Sequence, residues 1–241
     1  MSGHSKWATT HRQKEAKDAK RGAIFTKLGN LITIAAREGG GDLDTNFKLR
    51  LAVDKAKAAN MPKDNIDRAI KRGAGADKDA HLEEIAYEVF GPAGATFIAE
   101  AITDNKNRTS ADIKTALNKA GGQLGGQNSV MWMFARQGLI VIDQHDLPNN
   151  PEELELKIID AGAQDIIKDE SWEIYTTPDQ LQKTITQLKS LNLTIKESGL
   201  VYVPKKELIL TDPESQAKVE KIFSALENCD DINNVYTNVN W

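Results

Sequence analysis

The chain reads as an α+β protein of three domains. An N-terminal three-helix unit with a basic arm precedes a discontinuous α+β domain, which carries an inserted ferredoxin-like βαββαβ domain. Three observations predict this. Apolar residues recur at helical spacing between Gly22 and Gly73. Residues 138–203 then follow the order strand, helix, strand, strand, helix, strand. Finally, the pieces on either side of that stretch each lack the partners needed to bury a sheet face. The boundaries expected are 1–75, then 76–134 together with 204–241, with 135–203 inserted.

Taken in order, residues 2–21 form an arm almost without apolar side chains. Without a core of its own, it is expected to be mobile alone and to order on a partner. Ile24, Leu28, Leu31, Ile32 and Ala35 then give one apolar helical face, closed by Gly39-Gly40-Gly41. Thr45 or Asn46 caps a second helix with Leu49, Ala52, Val53, Ala56 and Ala59 inward. Pro62 suits the first turn of a third, with Asp64 at its positive end. Ile66, Ala69 and Ile70 face inward there, and Lys71-Arg72-Gly73 closes it.

Strands are expected near Ile85–Phe90 and Thr96–Thr103, joined by the turn Gly91-Pro92-Ala93-Gly94. A helix near Thr109–Ala120 follows, with Thr109 and Asp112 as a T-x-x-D cap. In the insert, Leu139–Ile142, Ile166–Ile167, Trp172–Thr176 and Leu200–Val203 are strands, the third alternating inward and outward. Leu154, Ile158 and Ala161 mark one helix. Thr177-Pro178-Asp179-Gln180 is a capping box opening another, with Leu181, Ile185, Leu188 and Leu191 on its inner face. A last helix carries Val219, Ile222, Phe223 and Leu226, and Val235–Val239 is the closing strand.

Charge divides the chain. Residues 1–75 hold 16 Lys and Arg against 8 Asp and Glu, a net of +8. Residues 76–241 hold 15 against 27, a net of −12. A basic head on an acidic body points to a polyanion, nucleic acid above all, as the head's partner. The alternative is a solvated basic face with no ligand. Arm candidates are Lys6, Trp7, Arg12, Lys14, Lys17, Lys20 and Arg21, with Trp7 either stacking on a base or plugging the bundle. Behind the arm the candidates are Lys27, Lys63, Arg68, Lys71 and Arg72. At the start of a helix, Lys106 and Arg108 admit two readings, the first a secondary phosphate contact. Ordinary turn chemistry with two solvated cations explains them slightly better.

Other classes find little support. No apolar run spans a bilayer, and no secretory pattern follows the basic N-terminus. The lone Cys229 suits a reducing cytoplasm and a place in a core. His4, His11, His81 and His145 lack metal-ligand spacing, so neither metal nor cofactor is expected. Ser5 beside His4 has nothing to orient the imidazole, and Glu83-Glu84 and Asp230-Asp231 read as solvated acids. Gly121-Gly122-Gln123-Leu124-Gly125-Gly126 lacks the ending of a nucleotide loop. Its glycine spacing would fit a KH clamp, but a helix cap and loop explain it more simply. The residues therefore argue against an enzyme and against a small-molecule substrate.

Several long stretches resemble the YebC/PmpR family over nearly the whole chain. They are Gly3-His4-Ser5-Lys6-Trp7, Asp18-Ala19-Lys20-Arg21-Gly22 with Phe25-Thr26-Lys27, and Ala35-Ala36-Arg37-Glu38-Gly39-Gly40-Gly41-Asp42. Asn60-Met61-Pro62-Lys63-Asp64-Asn65-Ile66, Ala69-Ile70-Lys71-Arg72-Gly73 and Thr103-Asp104-Asn105-Lys106-Asn107-Arg108-Thr109 continue the match. The resemblance implies a helical head with two α+β domains and a non-enzymatic cytoplasmic regulator. It implies DNA-binding transcriptional regulation, as for bacterial members. The other role it implies is translational activation at proline-rich stretches, with ribosomal RNA and ribosomal proteins as partners. Two departures stand out. Gln13 replaces a usual arm cation, which weakens the case for particular phosphate contacts. Ala93 replaces a usual glycine and is expected to keep ordinary backbone angles, against close approach of a ligand.

Overall fold

The computed structural model describes residues 21–76, 82–144, 151–169 and 171–240. The head consists of α1 (Arg21–Gly39), α2 (Phe47–Ala58) and α3 (Lys63–Lys71). Leu28, Ile32, Ala35, Leu49, Ala52, Val53, Ala56, Ile66 and Ala69 close its core. Ile24, read as part of the inner face, is exposed. Instead α1 buries a second face, where Ile34 meets Leu82 and Ile102. Asn46, rather than Thr45, caps α2: its side-chain oxygen accepts from the Leu49 N–H at 2.9 Å. The amide of the same side chain donates to the Ala35 and Gly40 carbonyls, both at 2.7 Å. One residue thus satisfies the start of α2 and the end of α1. Pro62 is the cap of α3 rather than a residue of its first turn. After α3 a wide turn, Arg72–Ala76, brings Gly73 against α1. A Cβ on Gly73 would lie 2.2 Å from the Thr33 carbonyl oxygen, so only glycine fits.

The chain continues through β1 (Glu83–Phe90), β2 (Thr96–Thr103), α4 (Lys106–Ala120), β3 (Gln123–Leu124) and β4 (Phe134–Asp143). Then come α5 (Pro151–Asp160), β5 (Ala163–Lys168), β6 (Ser171–Thr176), α6 (Leu181–Ser190) and β7 (Ile195–Pro204). The last elements are β8 (Leu208–Ile209), α7 (Pro213–Glu227), β9 (Ile232–Thr237) and β10 (Val239–Asn240).

These strands form a sheet ordered β3-β1-β2-β9, a sheet ordered β5-β6-β4-β7, and a parallel pair of β8 with β10. In the first sheet β1 and β2 are an antiparallel hairpin in register from Glu83↔Thr103 to Phe90↔Thr96. Phe97, Ala99 and Ala101 of β2 pack against Ile113 and Leu117 of α4 and Val219, Ile222 and Phe223 of α7. The second sheet has the strand order of the ferredoxin-like motif, with β4 and β6 central and α5 and α6 as its helices. By contacts, residues 135–203 make one compact unit. The head, the first sheet and residues 204–240 make another.

Four local expectations are corrected. Ala93 does not keep ordinary angles. It takes φ 55°, ψ 24°, the left-handed region, because the hairpin closes through the Gly91 N–H to the Ala95 carbonyl. Asn105, not Thr109, caps α4, which begins three residues earlier than expected; Thr109 is buried inside it. The Thr177-Pro178-Asp179-Gln180 box does not cap α6, which starts at Leu181 after a separate turn. Gln180 makes no cap bond there; its amide donates to the Asp179 carboxylate at 3.1 Å. Finally, β6 does not alternate: all six of its residues are buried, since the strand is central and covered on both faces.

Candidate nucleic-acid interface

The arm candidates Lys6, Trp7, Arg12, Lys14, Lys17 and Lys20 lie outside the described residues, and Arg21 is described only as the opening position of α1. The remaining head candidates fall into two groups. Lys63, Arg68 and Lys71 are exposed on α3, and no ion pair engages them among the described residues. Ile66 and Ala69 hold the inner side of that helix, which leaves Arg68 and Lys71 on its outer side. Lys57, near the end of α2, is exposed as well.

Lys27 and Arg72 are committed within the protein. The Lys27 ammonium donates to the Glu227 carbonyl at 3.0 Å, and its own carbonyl accepts from Asn233 Nδ2 at 3.2 Å. The Arg72 guanidinium donates to Thr33 Oγ1 at 2.8 Å and to Asn30 Oδ1 at 3.1 Å, tying the turn after α3 to α1. Further links join head and sheet. Arg37 donates to the Leu82 carbonyl, and Lys55 to Asn234 Oδ1 at 3.3 Å. Lys48 bridges Glu38 and Glu84, each at 2.9 Å. Burial opposes the Lys48 charge, but hydrogen bonds to Glu84 and Glu38 and their charges outweigh it and hold the ammonium above its ordinary pKa.

The secondary pair is differently placed. Lys106 pairs with Glu83, and Arg108 with Asp104 at 2.6 Å, with Asp231 3.6 Å away. The backbone N–H groups of Asn107 and Arg108 already donate to Asn105 Oδ1, both at 3.1 Å. A phosphate arriving there would have to displace carboxylates and the cap together.

The glycine cluster is accounted for internally. Gly121 ends α4 at φ +87°, and a Cβ on Gly125 would lie 2.4 Å from Ser129 Oγ. Cys229 is half-buried against the core of α4 and α7, and burial pushes its thiol pKa up. Among the described residues no group of His, Cys, Asp and Glu side chains could hold a metal ion, and no helix is long and apolar enough to cross a membrane. The four histidines lie outside the described residues. Sequence reasoning missed Arg37 and Glu88 as organising side chains, and neither carried a signal. Asn46 was one of two cap candidates, from its place before a periodic apolar run, but its bonds back to the end of α1 were not legible.

Comparison with known proteins follows the same division of the chain. Residues 5–76 match the family model described as "TACO1/YebC protein N-terminal domain", and residues 82–239 that described as "TACO1/YebC second and third domain". A "probable transcriptional regulatory protein" of Caldanaerobacter subterraneus is 48% identical over 240 residues, covering 99% of this chain and 98% of its own. One of the same description from Bacillus licheniformis is 46% identical, covering 99% and 100%. Among solved structures, a conserved hypothetical protein from Aquifex aeolicus superposes with a TM-score of 0.84 at 38% identity, over 92% of this chain and 91% of that one. With both family models matched in order and relatives aligned end to end, the chain belongs to the YebC family.

Proposed function

We propose that this chain is a nucleic-acid-binding regulator of transcription that grips DNA phosphates through its basic head. The observation that carries the reading is the clustering of open cations on one short helix. On α3, Lys63, Arg68 and Lys71 are exposed and not engaged in ion pairs among the described residues, with exposed Lys57 near the end of α2. Cations left open on a head of net charge +8 suit a polyphosphate backbone. Lys6, Trp7, Arg12, Lys14, Lys17, Lys20 and Arg21 would extend the same contact. The descriptions of the relatives, as probable transcriptional regulatory proteins, agree with this reading. The net −12 of residues 76–241 would face away from the polyanion or meet a basic protein.

Phosphate contacts fix position without reading the polymer. The same cations therefore also support the second role implied for the family, an RNA-binding translational activator on the ribosome. Two measurements test the proposal. Duplex DNA affinity should fall with salt, log K against log salt having a slope of about −5 if six phosphates are neutralised. K63E/R68E/K71E should weaken binding regardless of sequence and flatten that slope. Affinity that ignores both salt and the triple reversal would overturn the proposal. RNA sequencing beside ribosome profiling in a deletion strain then separates the roles. Changed mRNA levels support transcription, and ribosomes slowed on unchanged mRNAs support translation.

A further inference from the structure

The loop between β3 and β4 mounts an indole on a rigid support. Glu88, on β1, is buried, yet its carboxylate receives three backbone N–H groups from this loop. Asn128 donates to Oε1, and Val130 and Met131 donate to Oε2, the last at 2.7 Å. Gly125 N–H donates to the Glu88 carbonyl at 2.7 Å, so strand and loop are joined from both sides of one residue. The loop ends in a single turn, Met131–Met133, at whose centre Trp132 stands 66% exposed.

The indole has already used its one polar atom: Nε1 donates to the Ser129 carbonyl at 3.0 Å. What it shows to solvent is its π surface, held in one orientation. Lys205 donates its ammonium to the Trp132 carbonyl at 2.9 Å and its backbone N–H to the Met133 carbonyl at 2.9 Å. Lys206 beside it is exposed. A preorganised aromatic face with ammonium groups at the same turn is the combination that binds unpaired bases. In a duplex the base faces are hidden in the stack, so the ligand chemistry implied is single-stranded.

We infer that Trp132 is a stacking platform for an unpaired base of single-stranded nucleic acid, with Lys205 and Lys206 holding the adjoining phosphates. This rests on the nucleic-acid reading above and adds to it a second, local contact, where Lys205 and Lys206 give one turn a positive edge on a body whose net −12 otherwise turns away from the polyanion. The test uses the full chain and fluorescein-labelled oligo(U) and oligo(dT) of about twelve nucleotides, with a duplex of the same length. Trp132→Ala should weaken single-strand binding about tenfold and leave the duplex within about twofold; Trp132→Phe should restore most of the loss. A stronger loss on oligo(U) than on oligo(dT) would assign the site to RNA, and the reverse to DNA. Because the side chain is exposed, the thermal unfolding of W132A should match that of wild type. Single-strand affinity unchanged in W132A would overturn the inference, as would equal losses on strand and duplex. An effect confined to self-association in sedimentation would assign Trp132 to a protein contact and overturn it too. If wild type binds duplex while W132A matches it on single strands, only this inference fails. If wild type binds no nucleic acid, the proposed function fails first.

Discussion

At the scale of single residues, several positions are set by what a backbone can tolerate. Ala93 sits at φ 55° with a Cβ, a conformation costing an L-residue roughly 1–2 kcal/mol. Ala93→Gly should therefore stabilise the protein by about 0.5–1 kcal/mol, less than the full strain because glycine also loses more freedom on folding. Urea unfolding would measure it, and a destabilised variant would show that the turn is not strained. The sequence identified the turn but not its handedness, because Gly91-Pro92-Ala93-Gly94 fits several turn types. Arg72 shows a different limit. A cation at the end of a helix pattern reads as solvated, and nothing in its neighbours reports that Asn30 and Thr33, far away in the chain, will take up its guanidinium. Lys63, Arg68 and Lys71 share that residue type but remain exposed.

At the scale of elements, periodicity located the helices and strands, while the caps moved. α4 starts at Lys106 because Asn105 offers a carbonyl oxygen to two N–H groups, and that choice releases Thr109 into the interior. There its hydroxyl bonds Thr103 Oγ1 at 2.7 Å and Asp231 Oδ2 at 2.6 Å. Cap competition of this kind turns on one hydrogen bond, too small a difference for a pattern to resolve. α1 was legible as amphipathic but not as doubly buried, since its second face depends on Leu82 and Ile102 arriving from the sheet. Asn46 is the element-scale residue with most to lose. Asn46→Ala removes the cap of α2 and leaves the Ala35 and Gly40 carbonyls without their donor, so the variant should be about 2 kcal/mol less stable in denaturant unfolding. A loss no larger than that of an exposed Asn→Ala would show that water replaces all three bonds.

At the scale of the whole molecule, the chain leaves for residues 135–203 and returns at one place. The Lys205 N–H donates to the Met133 carbonyl at 2.9 Å, and β4 and β7 are neighbours in their sheet. Replacing residues 135–203 with a short Gly-Ser turn should leave the other unit folded, since the two ends already meet. Circular dichroism and a cooperative urea transition would check this, and a chain that fails to fold would show that the insert is required. The strand order inside the insert was legible because each element is local. That the head shares a unit with the sheet was not, because its links join residues remote in sequence. Those links also put the structure on a clock. Lys27 and Glu227 are 200 positions apart, and Glu100 waits for Asn234, 134 positions later. A ribosome adds roughly 5–20 residues per second, so several seconds separate β2 from the strand that completes its edge. The three head helices, built from local contacts, can close early. Their platform is complete only once α7 and β9 have been translated. For those seconds a nascent chain can hold a closed cationic head on an unfinished sheet, with the edge of β2 still waiting for its partner.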